Sequence, residues 1–146
     1  MRSFRVSSAL RASPAEVWAR AATIEGVNAE LAPFARMTAP GDGVIRAGAL
    51  GRSWILLGGV LPIDYDDLRL ESVDPGRGFR ERSTLGSCSA WHHDRSLHAL
   101  AGGGTRVVDD LSFTPRLRLA GGLQALVFEA AFRWRHRRLR AIWGAA

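Results

Sequence analysis

The amino-acid sequence predicts an α+β fold in which a curved antiparallel β-sheet of about six to seven strands wraps around one long C-terminal α-helix. Residues 120–143 are the only stretch that combines the length of a long helix with apolar residues spaced three and four apart. From residue 36 onward, glycines punctuate short apolar stretches, which favours strands and turns over helices. Since a lone long helix has to bury its apolar stripe, we expect the sheet to curve around it.

The N-terminal part of the chain predicts one strand followed by two short helices. Residues 4–10 alternate loosely between apolar and polar side chains, as a first strand does. Ser13-Pro14-Ala15-Glu16 has the pattern of a capping box with proline at the first helical position, which predicts a helix over residues 14–22. A second helix is predicted over residues 26–31, because a residue that precedes proline disfavours the helical conformation and Pro33 follows closely.

The other strands are predicted from glycine-bounded apolar stretches. They cover residues 34–38, 53–60, 64–73, 78–85, 90–100 and 105–114. Asp74-Pro75-Gly76 and Gly102-Gly103-Gly104 are turn sequences of the kind that join antiparallel neighbours, so we expect the last four strands to form a meander. No repeat or second set of elements is present, and residues 1–146 are predicted to form a single domain.

Composition and charge limit the kinds of partner that the protein can have. The chain has 146 residues, of which 47% are apolar and 23% charged, values that are ordinary for a soluble globular protein. Its net charge is +6, but all twenty basic residues are arginine and they are spread along the whole chain. We interpret this bias as the composition of a GC-rich genome, and we expect no nucleic-acid partner.

The N-terminus and the single cysteine predict a cytoplasmic protein without a disulfide. The first residues lack the apolar core of a signal peptide, and the longest apolar run, Trp54 to Ile63, is too short to span a membrane. Cys88 has no partner within the chain and lies in no metal-binding or nucleophile motif.

Several short motifs follow one another in a recognisable order. They are Ala12–Trp18, Phe79, Gly86, Trp91-His92-His93, Gly104-Thr105, Asp109, Phe113-Thr114-Pro115 and the segment 132–139. In this order, and over essentially the whole chain, they resemble a bacterial subgroup of the SRPBCC or START-like superfamily, which includes polyketide cyclase- and dehydrase-like proteins. The resemblance implies a helix-grip fold with an apolar cavity between the sheet and the long helix. Such a cavity would bind a hydrophobic small molecule of the lipid, polyketide or isoprenoid type.

Strand alternation predicts which side chains line this cavity. In the strand at 105–113 the odd-numbered residues are the more apolar and should face inward, as should Trp91 and every second residue after it. The predicted ligand-binding residues are Trp54, Phe79, Trp91, His93, Arg95, Val107, Asp109, Leu111 and Phe113 from the sheet, and Leu126, Phe128 and Phe132 from the long helix. Alternatively, the largest of these side chains fill the interior themselves.

Four polar residues are predicted to meet inside or at the rim of the cavity: Glu81, His93, Arg95 and Asp109. A carboxylate beside an imidazole is what a general base needs, so an enzyme of the cyclase or dehydrase kind would use His93 with Asp109 or Glu81. Alternatively, the four side chains form a cross-strand ladder of ion pairs and hydrogen bonds that satisfy one another. We assign no catalytic residue from the sequence, and our leading hypothesis is a binding protein without catalytic activity.

The sequence predicts neither a metal nor a cofactor. His92 and His93 are adjacent, so on a strand they point to opposite faces and cannot bind one metal together. We interpret Asp64, Asp66 and Asp67 as a solvated acidic cluster, because an oxygen cage for a cation needs more ligands than a strand edge provides.

The end of the long helix is rich in arginine. Arg133, Arg135, Arg137, Arg138 and Arg140 are predicted to form a solvated face, since cations are favourable near a helix C-terminus. An interaction module that docks to an acidic partner or a membrane surface would use the same residues, with Trp134 and Trp143 as interfacial anchors.

Overall fold

The computed structural model describes residues 1–146 and confirms the predicted α+β architecture. In chain order the elements are β1 (Arg2–Leu10), α1 (Pro14–Ala21), α2 (Ile24–Leu31), β2 (Ala35–Met37), β3 (Gly48–Leu57), β4 (Leu61–Asp74), β5 (Gly78–Leu85), β6 (Cys88–Ala99), β7 (Thr105–Pro115), one 3₁₀ turn (Arg118–Ala120) and α3 (Gly121–Trp143). The seven strands form one curled antiparallel sheet in the order β1-β7-β6-β5-β4-β3-β2. The predicted meander of β4 to β7 is therefore confirmed, and β1 pairs with β7.

Side-chain caps fix the two short helices. Ser13 and Glu16 form the predicted capping box, in which the Ser13 N–H donates to Glu16 Oε2 at 2.9 Å and the Glu16 N–H donates to Ser13 Oγ at 3.3 Å. Helix α2 begins at Ile24, two residues before its predicted start at Gly26. The cause is a second cap, because the Oγ1 atom of Thr23 accepts a hydrogen bond from the Gly26 N–H at 3.0 Å.

The largest error in the predicted strands concerns β3. This strand begins at Gly48 rather than at Ser53, because Gly51 lies in a β-bulge within it, with a φ of +113°, and is not a turn residue. The strand ends at Leu57 rather than at Val60, since Gly58 and Gly59 both adopt positive φ and form the turn to β4.

The concave face of the sheet carries the buried side chains that alternation predicted. On β6 the side chains of Trp91, His93, Arg95 and Leu97 are all buried, and so are those of Thr105, Val107, Asp109, Leu111 and Phe113 on β7. Helix α3 packs on this face through Phe132 and Leu139. No helix of this fold has both the length and the hydropathy needed to cross a membrane.

The prediction that Leu126 faces the interior is wrong. Its side chain is 68% exposed, whereas Phe132 is 5% exposed. Since each residue of an α-helix turns by about 100°, Leu126 lies about 200° around α3 from Phe128, which packs against the core.

Candidate functional site

A cavity of about 540 Å³ lies between the concave face of the sheet, α2 and α3. Of its 25 lining residues, 21 are hydrophobic. The lining comes from α2, the α2–β2 linker, the β2–β3 loop, strands β2 to β6 and the middle of α3. The volume falls within the range of about 300 to 1,000 Å³ that is typical of small-molecule sites. Side chains therefore do not fill the interior, which the sequence left open as an alternative.

The cavity has an apolar rim. Phe34, Leu57, Ile63 and Val127 all line it while remaining about half exposed to solvent, at 48% to 57%. The linker after α2 is fixed to α3 at this rim, because the Trp134 indole N–H donates to the Ala32 carbonyl at 2.9 Å and the ring packs edge-on against Phe34. The rim thus connects the cavity with the surface through hydrophobic side chains.

The four polar residues of the lining are all ionisable and buried. They are Asp66 on β4, Glu81 on β5, His93 on β6 and Arg135 on α3. The cavity is therefore apolar except at one end, where these ionisable side chains lie. Behind that end lies a buried charge network, made up of Glu30, Arg95, Asp109 and His136.

Asp109 is the centre of the charge network. It is fully buried and accepts four hydrogen bonds, from His93 Nε2 and Arg95 Nε on Oδ1 at 2.7 and 2.8 Å, and from Arg95 Nη2 and His136 Nε2 on Oδ2 at 2.8 and 2.7 Å. Burial alone would raise the pKa of Asp109, but Arg95 and the two imidazoles hold this pKa well below its usual range. Since an ionised carboxylate only accepts hydrogen bonds, both histidines carry a proton on Nε2.

Arg95 extends the network to both neighbouring helices. Its Nη1 and Nη2 atoms donate to the two carboxylate oxygens of Glu30 on α2 at 2.9 and 2.8 Å. Arg135 of α3 also donates to Glu30, through Nε at 3.1 Å. Burial alone would raise the pKa of Glu30, but Arg95 and Arg135 lower this pKa below its usual value, so the carboxylate stays ionised.

His93 joins the charge network to the cavity. Burial alone would lower the pKa of His93, but Asp109 and Glu81 more than offset that effect and raise this pKa, which favours the imidazolium form. Its Nδ1 atom lies 3.8 Å from Glu81 Oε1, an ion-pair distance that is too long for a hydrogen bond. Because Nε2 is committed to Asp109, any proton transfer to a bound molecule would involve Nδ1.

Asp66 and Glu81 form a pair of carboxyl groups at the cavity wall. Burial and the neighbouring Glu81 raise the pKa of Asp66 well above its usual range. Burial alone would raise the pKa of Glu81 too, but His93, Asp66 and Ser83 lower it, and Ser83 Oγ donates to Glu81 Oε2 at 2.7 Å. Two adjacent buried carboxyl groups do not both ionise readily, so Asp66 is the one that keeps a proton.

The twelve predicted ligand-binding residues divide into three groups. Phe79, Trp91, His93, Phe128 and Phe132 line the cavity, while Arg95, Val107, Asp109, Leu111 and Phe113 are buried but do not line it. Trp54 and Leu126 do neither. Trp54 is 42% exposed and packs against Tyr65, because it lies between Ser53 and Ile55 on the opposite face of β3. A role in ligand binding stays a prediction for the five residues that line the cavity.

Glu81, His93, Arg95 and Asp109 meet as predicted, and they do form the ladder of hydrogen bonds and ion pairs that was one of the two interpretations. The other interpretation, a general base, also finds a geometric basis, because His93 and Glu81 line the cavity. Asp109 does not line it, so that carboxylate can act on a bound molecule only through His93.

The sequence was interpreted as placing Asp64, Asp66 and Asp67 in a solvated acidic cluster. This interpretation is wrong for Asp66, which is 4% exposed. Asp66, Leu68 and Leu70 share the buried face of β4, and this alternation was a signal available in the sequence. Asp67 points to the other face, where it pairs with Arg52 at 2.8 Å.

The interpretation of the arginine-rich helix end as a solvated face is also wrong in part. Arg135 and His136 are buried, because they lie three and four residues after Phe132 on the stripe that faces the sheet. His136 was not predicted to take part, yet it binds Asp109 and its Nδ1 atom lies 2.6 Å from Ser8 Oγ. Arg138 donates to the Ala29 carbonyl at 3.1 Å, which leaves fewer free cations for a docking surface.

Ser8, His136 and Asp109 follow one another as in a serine hydrolase, but Ser8 is buried and does not line the cavity. The arrangement therefore gives no substrate access to the hydroxyl. No group of three or more His, Cys, Asp or Glu side chains is arranged to hold a metal ion.

Comparisons with known proteins agree with the fold. A family model described as a domain of unknown function, DUF8410, matches residues 8–143. Protein CV1439 from Chromobacterium violaceum has a similar structure over 100% of both chains, with a TM-score of 0.78 and 14% identity. Ara h 8.0201 has a TM-score of 0.62 and 12% identity over 96% of this chain and 98% of its own.

A further similar structure is DynU16, a protein in the dynemicin biosynthetic locus, with a TM-score of 0.65 and 19% identity. The match covers 97% of this chain but only 48% of DynU16. At these identities the similarities show the helix-grip-like fold alone. Among curated proteins, none matches this sequence.

The charge network predicts unequal effects at two adjacent aspartates. Asp109→Asn removes the charge that compensates Arg95, and we expect it to lower the free energy of unfolding by about 3 to 5 kcal/mol. Asp110→Asn is the matched control, because Asp110 points to the opposite face and pairs with the exposed Arg5, and it should cost about 1 kcal/mol or less. Urea denaturation of both variants measures the difference. Equal costs would contradict the central role of Asp109.

The protonated state of Asp66 predicts a pH dependence of stability. The folded protein keeps on Asp66 a proton that the unfolded chain releases above its ordinary pKa of about 4. Stability should therefore fall as pH rises from there to the raised pKa in the folded state. The Asp66→Asn variant lacks this effect. As pH rises, the free energy of unfolding of the variant should therefore increase relative to that of the unsubstituted protein, by up to about 1.4 kcal/mol per pH unit.

Urea denaturation of both proteins at pH 5, 6, 7 and 8 measures this difference. Asp67→Asn serves as the control, because its exposed carboxylate has a lowered pKa and titrates below this range. A difference between Asp66→Asn and the unsubstituted protein that does not change with pH would show that Asp66 is ionised in the folded state.

Proposed function

This chain belongs to the DUF8410 family, and we propose that it binds a hydrophobic small molecule in the cavity between its sheet and α3. The observation that supports the proposal most strongly is the cavity itself, with about 540 Å³ of space and 21 hydrophobic residues among the 25 that line it. A lipid, polyketide or isoprenoid has the apolar surface that such a wall buries. Within helix-grip proteins, we assign the chain to the SRPBCC or START-like superfamily.

The shape of α3 along the cavity supports the same function. Between Phe128 and Phe132 the helix presents Ala130 and Ala131 to the cavity, and these short side chains leave space that larger ones would occupy. The exposed rim residues provide an apolar path of entry. A cytoplasmic location and the absence of a nucleic-acid partner stay predictions.

Filling the cavity should abolish binding. Ala131→Trp places a large ring in the space that the ligand needs, and we expect it to weaken the binding of an apolar fluorescent probe such as 1-anilinonaphthalene-8-sulfonate by about tenfold or more. Ala141→Trp is the matched control, because Ala141 is an exposed residue of the same helix outside the cavity.

Fluorescence titration gives the two dissociation constants, and thermal unfolding shows whether each variant is folded. If both tryptophan variants bind the probe as tightly as the unsubstituted protein does, the probe does not enter this cavity. If the unsubstituted protein does not bind the probe at all, the proposed function fails for ligands of this size.

A second candidate function is proton-transfer catalysis on the bound molecule. The favouring observation is that His93 and Glu81 line an otherwise apolar cavity, where an imidazole and a carboxylate can exchange a proton with a ligand. The SRPBCC or START-like superfamily, which the sequence resembles, includes cyclase- and dehydrase-like proteins, and this resemblance supports the candidate.

The exchange of the methyl protons of 2-acetylnaphthalene with D₂O, followed by NMR, tests this candidate. Catalysis predicts faster exchange with the protein present, and a loss of about 100-fold or more in the acceleration in His93→Gln. His98→Gln is the control, because His98 is exposed. If the protein does not accelerate exchange, or if His93→Gln accelerates it equally, His93 is not a general acid or base for this ketone.

A further inference from the structure

Building on the proposed function, we infer that the polar end of the cavity binds the hydroxyl group of an otherwise apolar ligand, which donates its proton to the carboxyl group of Asp66. The ligand is then an apolar alcohol or phenol. It rests on the contacts of Asp66 and on the charges that surround it.

Asp66 is the one polar group of the cavity that protein contacts leave unsatisfied. Two buried side-chain atoms in the whole chain have no hydrogen-bond partner, Asp66 Oδ1 and Gln124 Oε1, and Gln124 does not line the cavity. Asp66 is 4% exposed, so bulk solvent does not surround it. Oδ1 is enclosed by protein atoms, whereas Oδ2 is not enclosed and accepts no hydrogen bond from the protein, so Oδ2 is the oxygen that a ligand in the cavity can reach.

The neighbouring carboxylate explains why the missing group is a donor. Asp66 contacts Glu81, and burial together with Glu81 raises the pKa of Asp66, so the pair shares one proton. We place this proton on the enclosed oxygen Oδ1, which has no other partner in the protein. The other oxygen can only accept a hydrogen bond, which an O–H group of the ligand can donate.

The surrounding charges favour a neutral ligand group. A ligand ammonium would meet Arg135 and the imidazole of His93, which line the same cavity. A ligand carboxylate would meet the ionised Glu81 and an acceptor oxygen of Asp66. The buried carboxylates already have cationic partners within the protein, which balance their charges: Glu30 pairs with Arg95 and Arg135, Asp109 with Arg95 and His93, and Glu81 with His93. A hydroxyl group fits this end without disturbing that balance.

The contrast with Asp109 sets Asp66 apart from the structural network. Asp109 has four protein donors and needs no ligand, whereas neither oxygen of Asp66 accepts a hydrogen bond from an N–H or O–H group of the protein. The inward position of Asp66 on β4 is therefore explained by what enters the cavity rather than by the packing of the sheet.

The test uses two probes of nearly equal shape, 2-naphthol and 2-methylnaphthalene, with binding to the folded protein measured by fluorescence. We expect the unsubstituted protein to bind 2-naphthol about tenfold more tightly than 2-methylnaphthalene, as one hydrogen bond to a buried acceptor provides. In Asp66→Leu the preference should disappear or reverse, because the methyl compound is the more hydrophobic. Asp66→Asn keeps a carbonyl acceptor and should retain the preference.

Asp67→Leu is the matched control on the outer face of β4 and should bind both probes like the unsubstituted protein. An equal preference in the unsubstituted protein and in Asp66→Leu would overturn the inference while leaving the proposed function intact. Tighter binding of 2-naphthoate than of 2-naphthol would also overturn it. If neither neutral probe binds the unsubstituted protein, the proposed function fails together with the inference.

Discussion

Asp109 is a fully buried carboxylate that accepts four hydrogen bonds, and the arrangement of the helices around the sheet depends on it. A buried carboxylate is stable only when hydrogen-bond donors and positive charges surround it. Strands β6 and β7 and helix α3 must therefore meet at the carboxylate of Asp109. Arg95 passes the constraint on to α2 through Glu30, and Arg135 closes the connection between α2 and α3. These charges connect the two helices that flank the cavity, in addition to the apolar packing of α3 on the sheet.

This arrangement explains how an apolar space persists in the interior. Two hydrophobic clusters, one around Phe113 and one around Leu139, fill the interface between the sheet and α3 near β1 and β7. Toward β3 and β4, where α3 presents Ala130 and Ala131, the space between α3 and the sheet stays open as the cavity. The charge network holds His93 at the cavity wall through Asp109 and so contributes to the chemistry at the polar end of the cavity.

The sequence predicted the fold well because its signals are local. Caps, turns and alternation define the elements, and the buried faces of β6 and β7 agree with their period of two. The site was predicted only in part. Trp54 and Leu126 are large and apolar, but position within the strand or helix, not size, decides what faces inward. Asp66 and Arg135 lie on apolar faces, where their charge argued for solvent, and the tertiary partners that explain their burial are distant in sequence.

Native mass spectrometry shows whether the cavity holds a hydrophobic molecule. The protein is purified without detergent, and its mass is compared before and after extraction with organic solvent. We expect a mass in excess of that of the 146-residue chain, and this excess should be removed by extraction and restored when the extract is added back. A mass equal to that of the chain alone, together with no uptake of any alcohol or hydrocarbon added in excess, would contradict it.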